Sequence, residues 1–579
     1  MVETILRRGK TFFYAKQRTI LSAATVIMLM IAASRLLGLI RNRVFVHFFS
    51  ARELDTYLAA FQLPDLIFEV IVLGAMSSAF IPTFAKSLAQ KKEKEAWHLA
   101  GIVLNVMLAL FSILSVFIFT FAYPLYDHVA SGFTGDQVAQ TVLFTRILLI
   151  AQMFFAASYV FTAVLESNQR FIIPAIAPLF YNAGIILTTV FFAEKLGLMA
   201  PVIGAVIGSF LHFAIQAPLA ISLGFRPVLS LNFSNPHLKK VVKLALPRII
   251  ELSAFQAKRL VDLFLASLVA GGLTYFKFGD SVAVLPTSLF GLSIAKASLP
   301  QLSKQATGRI EEFKITFAAS FSQIIFFVVP ASVLLAVLRI PIVRLAFGSP
   351  RFTWDDTLQT GYVLSAFAIG IFAYSLSLLI SRAFYALHDT TTPVKVSFLT
   401  IGVNVVLGLV FVLGLRLPTW SLALSYSLAG IFQVIVLFGL LSKRVKGFAN
   451  YNIKQTLTKV IAAASLSGSV MFILLRVLDR SAWDKKLSFL GKFGLALPTT
   501  FEHFVLDTRY TANLIVLTFV VATIGIAIYL LTTWFLGVKE LSVLLSTLKK
   551  FSTLLTSNKN SLSSSGDTVT PPQSESPPS

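Results

Sequence analysis

Apolar runs of about 20 residues or more recur along the chain between residues 24 and 536, separated by short polar connections. A run of that length suits a helix crossing the hydrocarbon core, and backbone in lipid must satisfy its own hydrogen bonds. The period-2 alternation of a membrane barrel is absent. The pattern therefore predicts an all-α polytopic membrane protein with about 14 spans. Six fall in residues 24–223 and six in 246–442; two more fall in 443–536, around a longer outer loop at 478–510. Residues 1–23 are too long and polar before their apolar run for a cleavable signal, and read as a basic amphipathic segment on the inner membrane surface. Residues 224–245 form a cytoplasmic linker. Residues 537–579 form a cytoplasmic tail, largely disordered from about 552 onward, where Ser, Thr and Pro replace aromatics.

Charge fixes the expected orientation. Lys and Arg concentrate in alternate connections, as at Lys86, Lys91, Lys92 and Lys94 and again at Lys443, Arg444 and Lys446; residues 124–139 have none. Cytoplasmic loops carry that excess, so both termini are expected on the cytoplasmic side of the membrane. The net charge of +23 is thus an anchoring signal, and no nucleic-acid partner is expected. At 56% hydrophobic and 13% charged residues, the chain has too much apolar surface for a soluble protein. It has no cysteine, which excludes disulfides and thiolate metal sites, and its seven histidines show no HExxH spacing. Without a DxD or a Ser/His/Asp grouping, an enzyme is not expected.

Two weak repeats suggest duplicated halves. "GAMSSAFIPTFAK" (74–86) and "GLSIAKASLPQLSK" (291–304) both place Lys four residues after Pro. "NQRFIIPAIAPLFYN" (168–182) and "LHDTTTPVKVSFLTIGVN" (387–404) both place Pro at a helix entry and Asn inside the next span. Repeated halves with a site at their interface are a transporter architecture.

Intramembrane charge marks the candidate site. "MIAASRLLGLIRNRVFVHFF" (30–49) carries Arg35 and Arg41 in an apolar setting, and Arg35, Gly38 and Asn42 fall on one helix face. An arginine at a helix centre costs roughly 2.5–3.5 kcal/mol unless it finds a partner or water. Two outcomes are open: pairing with Asp55, Asp65 or Glu69 on the next span, or exposure to a cavity where guanidinium grips phosphate oxygens two at a time. Gly38 could act as a hinge that turns both arginines inward. A second cluster, "PRIIELSAFQAKRLVD" (247–262), holds Glu251, Lys258, Arg259 and Asp262, and Lys277 and Asp280 follow on the next span. It reads either as an ion network between halves or as a source of cavity cations.

"ASRLLGLIRNRV", "LDTYLAAFQLPDL" and "GAMSSAFIPTFAK", with "SRAFYALHDTTTPVKV" (381–396), resemble the signatures of the MurJ/MviN family of lipid II flippases. The resemblance implies the MOP-exporter fold: two six-helix lobes, a V-shaped central cavity, and two extra helices forming a lipid groove. It implies export of undecaprenyl-diphosphate-linked peptidoglycan precursor by alternating access, with membrane lipids and the cell-wall synthesis machinery as partners. Another lipid-linked oligosaccharide is the alternative cargo. Matched to the motif, the substrate-binding residues are Arg35, Arg41 and Asp55. The family pattern has an acid where this chain has Asn42, and cavity arginines where it has Phe68 and Ser281. Arg259 and Lys258, with Lys277, are expected to restore the positive charge. No cofactor is expected; the driving force would be sodium or the membrane potential. Asp262 and Asn404 fall near a sodium position seen in some relatives, with Gly408 where an acid would help.

Overall fold

The computed structural model describes residues 20–74, 76–226, 236–480, 505–542 and 544. The expected N-terminal surface segment, part of the linker, most of the 478–510 loop and nearly all of the tail lie outside these residues.

The first bundle is α1 (Ile20–Phe48), α2 (Ala51–Leu73), α3 (Glu93–Val129), α4 (Gly135–Ser167), α5 (Ile172–Leu196) and α6 (Met199–Ser222). The second is α7 (Pro236–Ser267), α8 (Gly272–Gln305), α9 (Ile310–Val337), α10 (Trp354–Ala386), α11 (Thr391–Gly414) and α12 (Trp420–Arg444). Two further helices, α13 (Ile453–Leu478) and α14 (Thr511–Phe535), pair with each other and pack on α9. Among the described residues, twelve helices are long and apolar enough to cross a membrane, against the 14 spans expected. The remaining two, α1 and α7, are long enough but are not among the twelve. They are the helices that carry the cationic clusters, and in α7 Glu251, Lys258, Arg259 and Asp262 dilute the apolar stretch.

Several helices start where the sequence supplies a cap. Ser50 and Glu53 form a capping box ahead of α2, as do Thr134 and Gln137 ahead of α4, and Thr353 and Asp356 ahead of α10. All three lie at the end expected outside. At the opposite end, Asp389 of the "LHDTTTP" motif starts α11. It accepts from the backbone N–H groups of Thr391 and Thr392 at 3.1 and 3.0 Å and from the Thr392 hydroxyl at 2.8 Å, with Arg444 at 3.5 Å. The Thr392 backbone N–H, then the threonine hydroxyls and Arg444, hold its carboxyl below the usual carboxylate range. A depressed acid stabilises the fold above its unfolded pKa, and that contribution drains away as pH falls through the lower folded value. Asp389→Asn is expected to lower stability slightly near neutral pH, and the difference should fade as pH drops through the lowered folded value. Thermal melts of both proteins in detergent between pH 3 and 7 would show the two curves converging.

Close packing inside the first bundle depends on small residues. A Cβ on Gly208 would stand 2.5 Å from the Tyr181 carbonyl oxygen, so α5 and α6 approach backbone to backbone. The duplicated motif is visible too. α2 widens into a π-helical turn at Phe68–Leu73, a second follows just after it at Met76–Phe80, and α8 has one at Thr287–Gly291, beside the repeated Gly-small-Pro stretch. Such turns concentrate at functional sites in helical proteins.

The bundles meet along α2, α7 and α8, and the end expected outside is shut. Asp55 is buried and accepts from both the backbone N–H and the hydroxyl of Thr274 on α8, each at 2.8 Å. The Thr274 hydroxyl also lies 2.8 Å from the Ala51 carbonyl oxygen, so its one hydrogen is shared between the two acceptors. Gly132, in the turn after α3, donates its N–H to the Ser267 hydroxyl at 3.3 Å, and a Cβ there would lie 2.2 Å from the Ser267 carbonyl oxygen. The Ser349 hydroxyl donates to the Val46 carbonyl, completing the seal.

A candidate diphosphate-binding cavity

A cavity of about 540 Å³ opens against α1. It is lined from α1 by Ser34, Arg35, Gly38, Arg41 and Asn42, from α4 by Tyr159, Thr162 and Glu166, from α5 by Pro178 and Asn182, and from α6 by His212. The second bundle contributes one lining residue, Ser281 of α8. The chamber is thus carried mainly by the first lobe, whereas the sequence suggests a cleft shared equally between two. Its helical register follows from period 3.6: Arg35, Gly38 and Asn42 share the lining face, with Arg41 beside them. Gly38 sits inside an unbroken α1 and a Cβ there would meet nothing within 4 Å, so nothing around it imposes a bend.

Both arginines face the cavity, and among the described residues neither is paired with an acid. Arg41 donates from one terminal nitrogen to the Asn182 amide oxygen at 3.1 Å and from the other to that of Asn42 at 3.3 Å. Its Nε is buried with no hydrogen-bond partner, and the guanidinium lies 5.7 Å over the Phe45 ring. Arg35 is exposed, and among the described residues no ion pair reaches it. A half-buried guanidinium held only by neutral amides keeps unspent donors, which favours an anion.

The three acids of α2 that could have quenched these charges are committed elsewhere. Asp55 belongs to the outer seal and does not line the cavity. Asp65 accepts from Gln152 of α4 at 2.5 Å. Glu69 accepts from Arg259 at 2.6 Å and from Gln256 at 2.5 Å, both on α7. Each acid therefore pairs with a different helix, and none with α1.

The expected compensation from α7 takes another form. Lys258 is paired with Asp262 at 2.6 Å and sits 4.8 Å over the Tyr426 ring, so it points into the second bundle. Arg259 bridges the bundles to Glu69. Lys277 lies among Arg259, Asp280, Asp262 and Asp65. None of the three lines the cavity; the ion network between halves is what the α7 charges build. Reversing one partner, as in Glu69→Lys, is expected to lower stability by about 1–3 kcal/mol, and adding Arg259→Glu should restore most of it. Thermal melts of the two single variants and the double variant would measure that coupling.

The residues at the expected sodium position, Asp262 and Asn404, both have protein partners. The Asp262 carboxylate is already neutralised by Lys258, and the Asn404 amide donates to Ser425 at 3.2 Å. Among the described residues, no group of three or more His, Cys, Asp or Glu could hold a metal.

Residues outside the sequence-based set complete the floor. Asn182 orients Arg41, and Glu166 is a half-buried carboxylate on the cavity wall. Behind them Gln216 links Ser158 at 2.7 Å and Thr162 at 2.8 Å, and Ser158 lies 2.7 Å from the His212 ring. The one advance signal was the Asn placed inside each repeated span: Asn182 reaches the cavity, whereas its counterpart Asn404 is absorbed by Ser425.

The family model for the lipid II flippase MurJ matches residues 45–494, more than three quarters of the chain. The chain belongs to the MurJ family. A probable lipid II flippase MurJ of Bdellovibrio bacteriovorus is 27% identical over 78% of this chain and 87% of its own length. A lipid II flippase MurJ of Thermosipho africanus is 28% identical over 77% and 91%. Among solved structures, a lipid II flippase MurJ in an inward closed conformation superposes with a TM-score of 0.70 at 24% identity, over 88% of this chain and 98% of that one. An inward-facing MATE-family multidrug transporter of the MOP superfamily superposes at 0.60 and 15% identity, over 73% and 96%. These superpositions establish the MOP fold, and the chain is a multi-pass membrane protein. Against the MurJ pattern, Phe68 packs on Phe155 and Tyr159 with ring centroids 5.9 and 5.1 Å away, so an aromatic cluster occupies the place of one expected cavity arginine. Ser281 lines the cavity as a neutral residue.

Proposed function

We propose that this chain moves lipid II, the undecaprenyl-diphosphate-linked peptidoglycan precursor, from the inner to the outer leaflet of a bacterial plasma membrane. The observation that carries the reading is the pair Arg35 and Arg41, facing a cavity of about 540 Å³ while every nearby α2 acid is held by another helix. Family membership supplies the cargo class.

With the outer end shut, the diphosphate enters from the cytoplasmic side, and its oxygens take up the free donors of Arg35 and Arg41. The prenyl tail stays in lipid. Release outward requires the lobes to rock, breaking the Asp55–Thr274 and Gly132–Ser267 contacts. No covalent bond changes. An inside-negative potential drives the anion outward, worth about 2.3 kcal/mol per charge per 100 mV. Glu166 on the wall limits how tightly the cavity holds the anion, which favours release.

The test is a reconstituted flipping assay with lipid II and a second polyprenyl-diphosphate oligosaccharide in parallel vesicles. Faster movement of lipid II is expected. Movement of the second lipid alone would reassign the cargo, and movement of neither would overturn the reading.

A further inference from the structure

A second pocket of about 540 Å³ lies far from α1, at the end expected in the cytoplasm. It is formed by the start of α9, the start of α13 and the turn after α14. Gly537, at φ +63°, turns the chain back after α14, so that Lys539 and Glu540 close one wall. Gln323 of α9 and Gln455 and Lys459 of α13 also line it. Two features place the pocket at headgroup depth. It sits where three helices end together, and Trp534 and Phe535, just before the turn, are 64% and 78% exposed, as in an interfacial aromatic belt.

The charges are of both signs. Lys459 and Lys539 bring two ammonium groups, a suitable pair for a phosphate at the membrane face. Glu540 lines the pocket too, and among the described residues its buried Oε2 has no hydrogen-bond partner. A charged N–H donor in the pocket would satisfy that carboxylate once it turns toward the space.

We propose that this pocket binds the headgroup of a phospholipid carrying both a phosphate and a primary amine, the phosphate against Lys459 and Lys539 and the amine on Glu540. Phosphoethanolamine lipid has this chemistry. A choline headgroup has no N–H to donate, and a glycerol headgroup leaves Glu540 beside a net anion. The assignment is independent of the flipping cavity, with which the pocket shares no residue.

The test uses the full chain, delipidated in detergent, and native mass spectrometry with short-chain phosphatidylethanolamine, phosphatidylcholine and phosphatidylglycerol, plus soluble phosphoethanolamine as competitor. The ethanolamine lipid should be retained at about tenfold lower concentration than the other two. Soluble phosphoethanolamine should compete; competition equal to the lipid's own would make the headgroup alone the ligand. Glu540→Gln should bring the ethanolamine lipid to the choline level without weakening phosphatidylglycerol, and the Lys459→Gln/Lys539→Gln pair should weaken all three. Glu540→Asp, keeping the charge, should preserve the preference and guards against a folding defect. Equal retention of the three lipids, tighter binding of phosphatidylglycerol, or an unchanged preference in Glu540→Gln would overturn the proposal.

Discussion

Arg41→Ala is expected to slow flipping by roughly 100-fold in reconstituted vesicles, with little loss of thermal stability. Each hydrogen bond to a charged partner contributes about 1.5–3 kcal/mol, and a guanidinium offers a diphosphate two at once. The stability side follows from the partners: Arg41 is held by the neutral amides of Asn182 and Asn42, so its removal strands no acid. Arg41→Lys separates charge from geometry. A lysine keeps the cation but loses the planar fork, and should recover only part of the rate. Full activity in Arg41→Ala would mean the diphosphate is gripped elsewhere, and Arg35 alone would then have to account for anion entry.

Gly132→Val should unseat the outer end. Its Cβ would lie 2.2 Å from the Ser267 carbonyl oxygen, against backbone that cannot swing aside. Overpacking of this kind costs about 1–3 kcal/mol, and here the protein can avoid it by parting the lobes. The chain has no cysteine, so one introduced at buried Ala51 reports the seal cleanly. An impermeant maleimide added outside should label Ala51→Cys about tenfold faster in the Gly132→Val background. Flipping should fall in parallel, because the inward-facing state is then rarely visited. Unchanged labelling would show that the turn after α3 yields without moving the lobes.

What the sequence made legible follows the physics of lipid. Helices had to form because the bilayer offers no other backbone partner, whereas the caps at Ser50, Thr134 and Thr353 emerge only in the structure. The facing of Arg35, Gly38 and Asn42 was readable too, because helical period alone sets it. The fate of the α7 charges was not. Arg259 meets Glu69 across 190 positions of sequence, and local spacing pointed equally to Asp262, which Lys258 takes. Asp55 looked like a cavity acid because it opens α2; only the approach of Thr274 from another bundle makes it part of a seal. Phe68 could be seen to lack charge, but its stacking on Phe155 and Tyr159 depends on α4 lying alongside.

The π-helical turns in and just after α2 carry a mechanical corollary. Each contains one residue more than an ordinary turn, and one residue corresponds to about 100° of rotation about the helix axis. If the surplus at Phe68–Leu73 were passed along the rod, everything downstream would revolve while Asp55 stayed engaged at the far end. α2 can therefore serve as a screw as well as a lever, letting the cytoplasmic half of the transporter change which side chains it presents before the extracellular half moves.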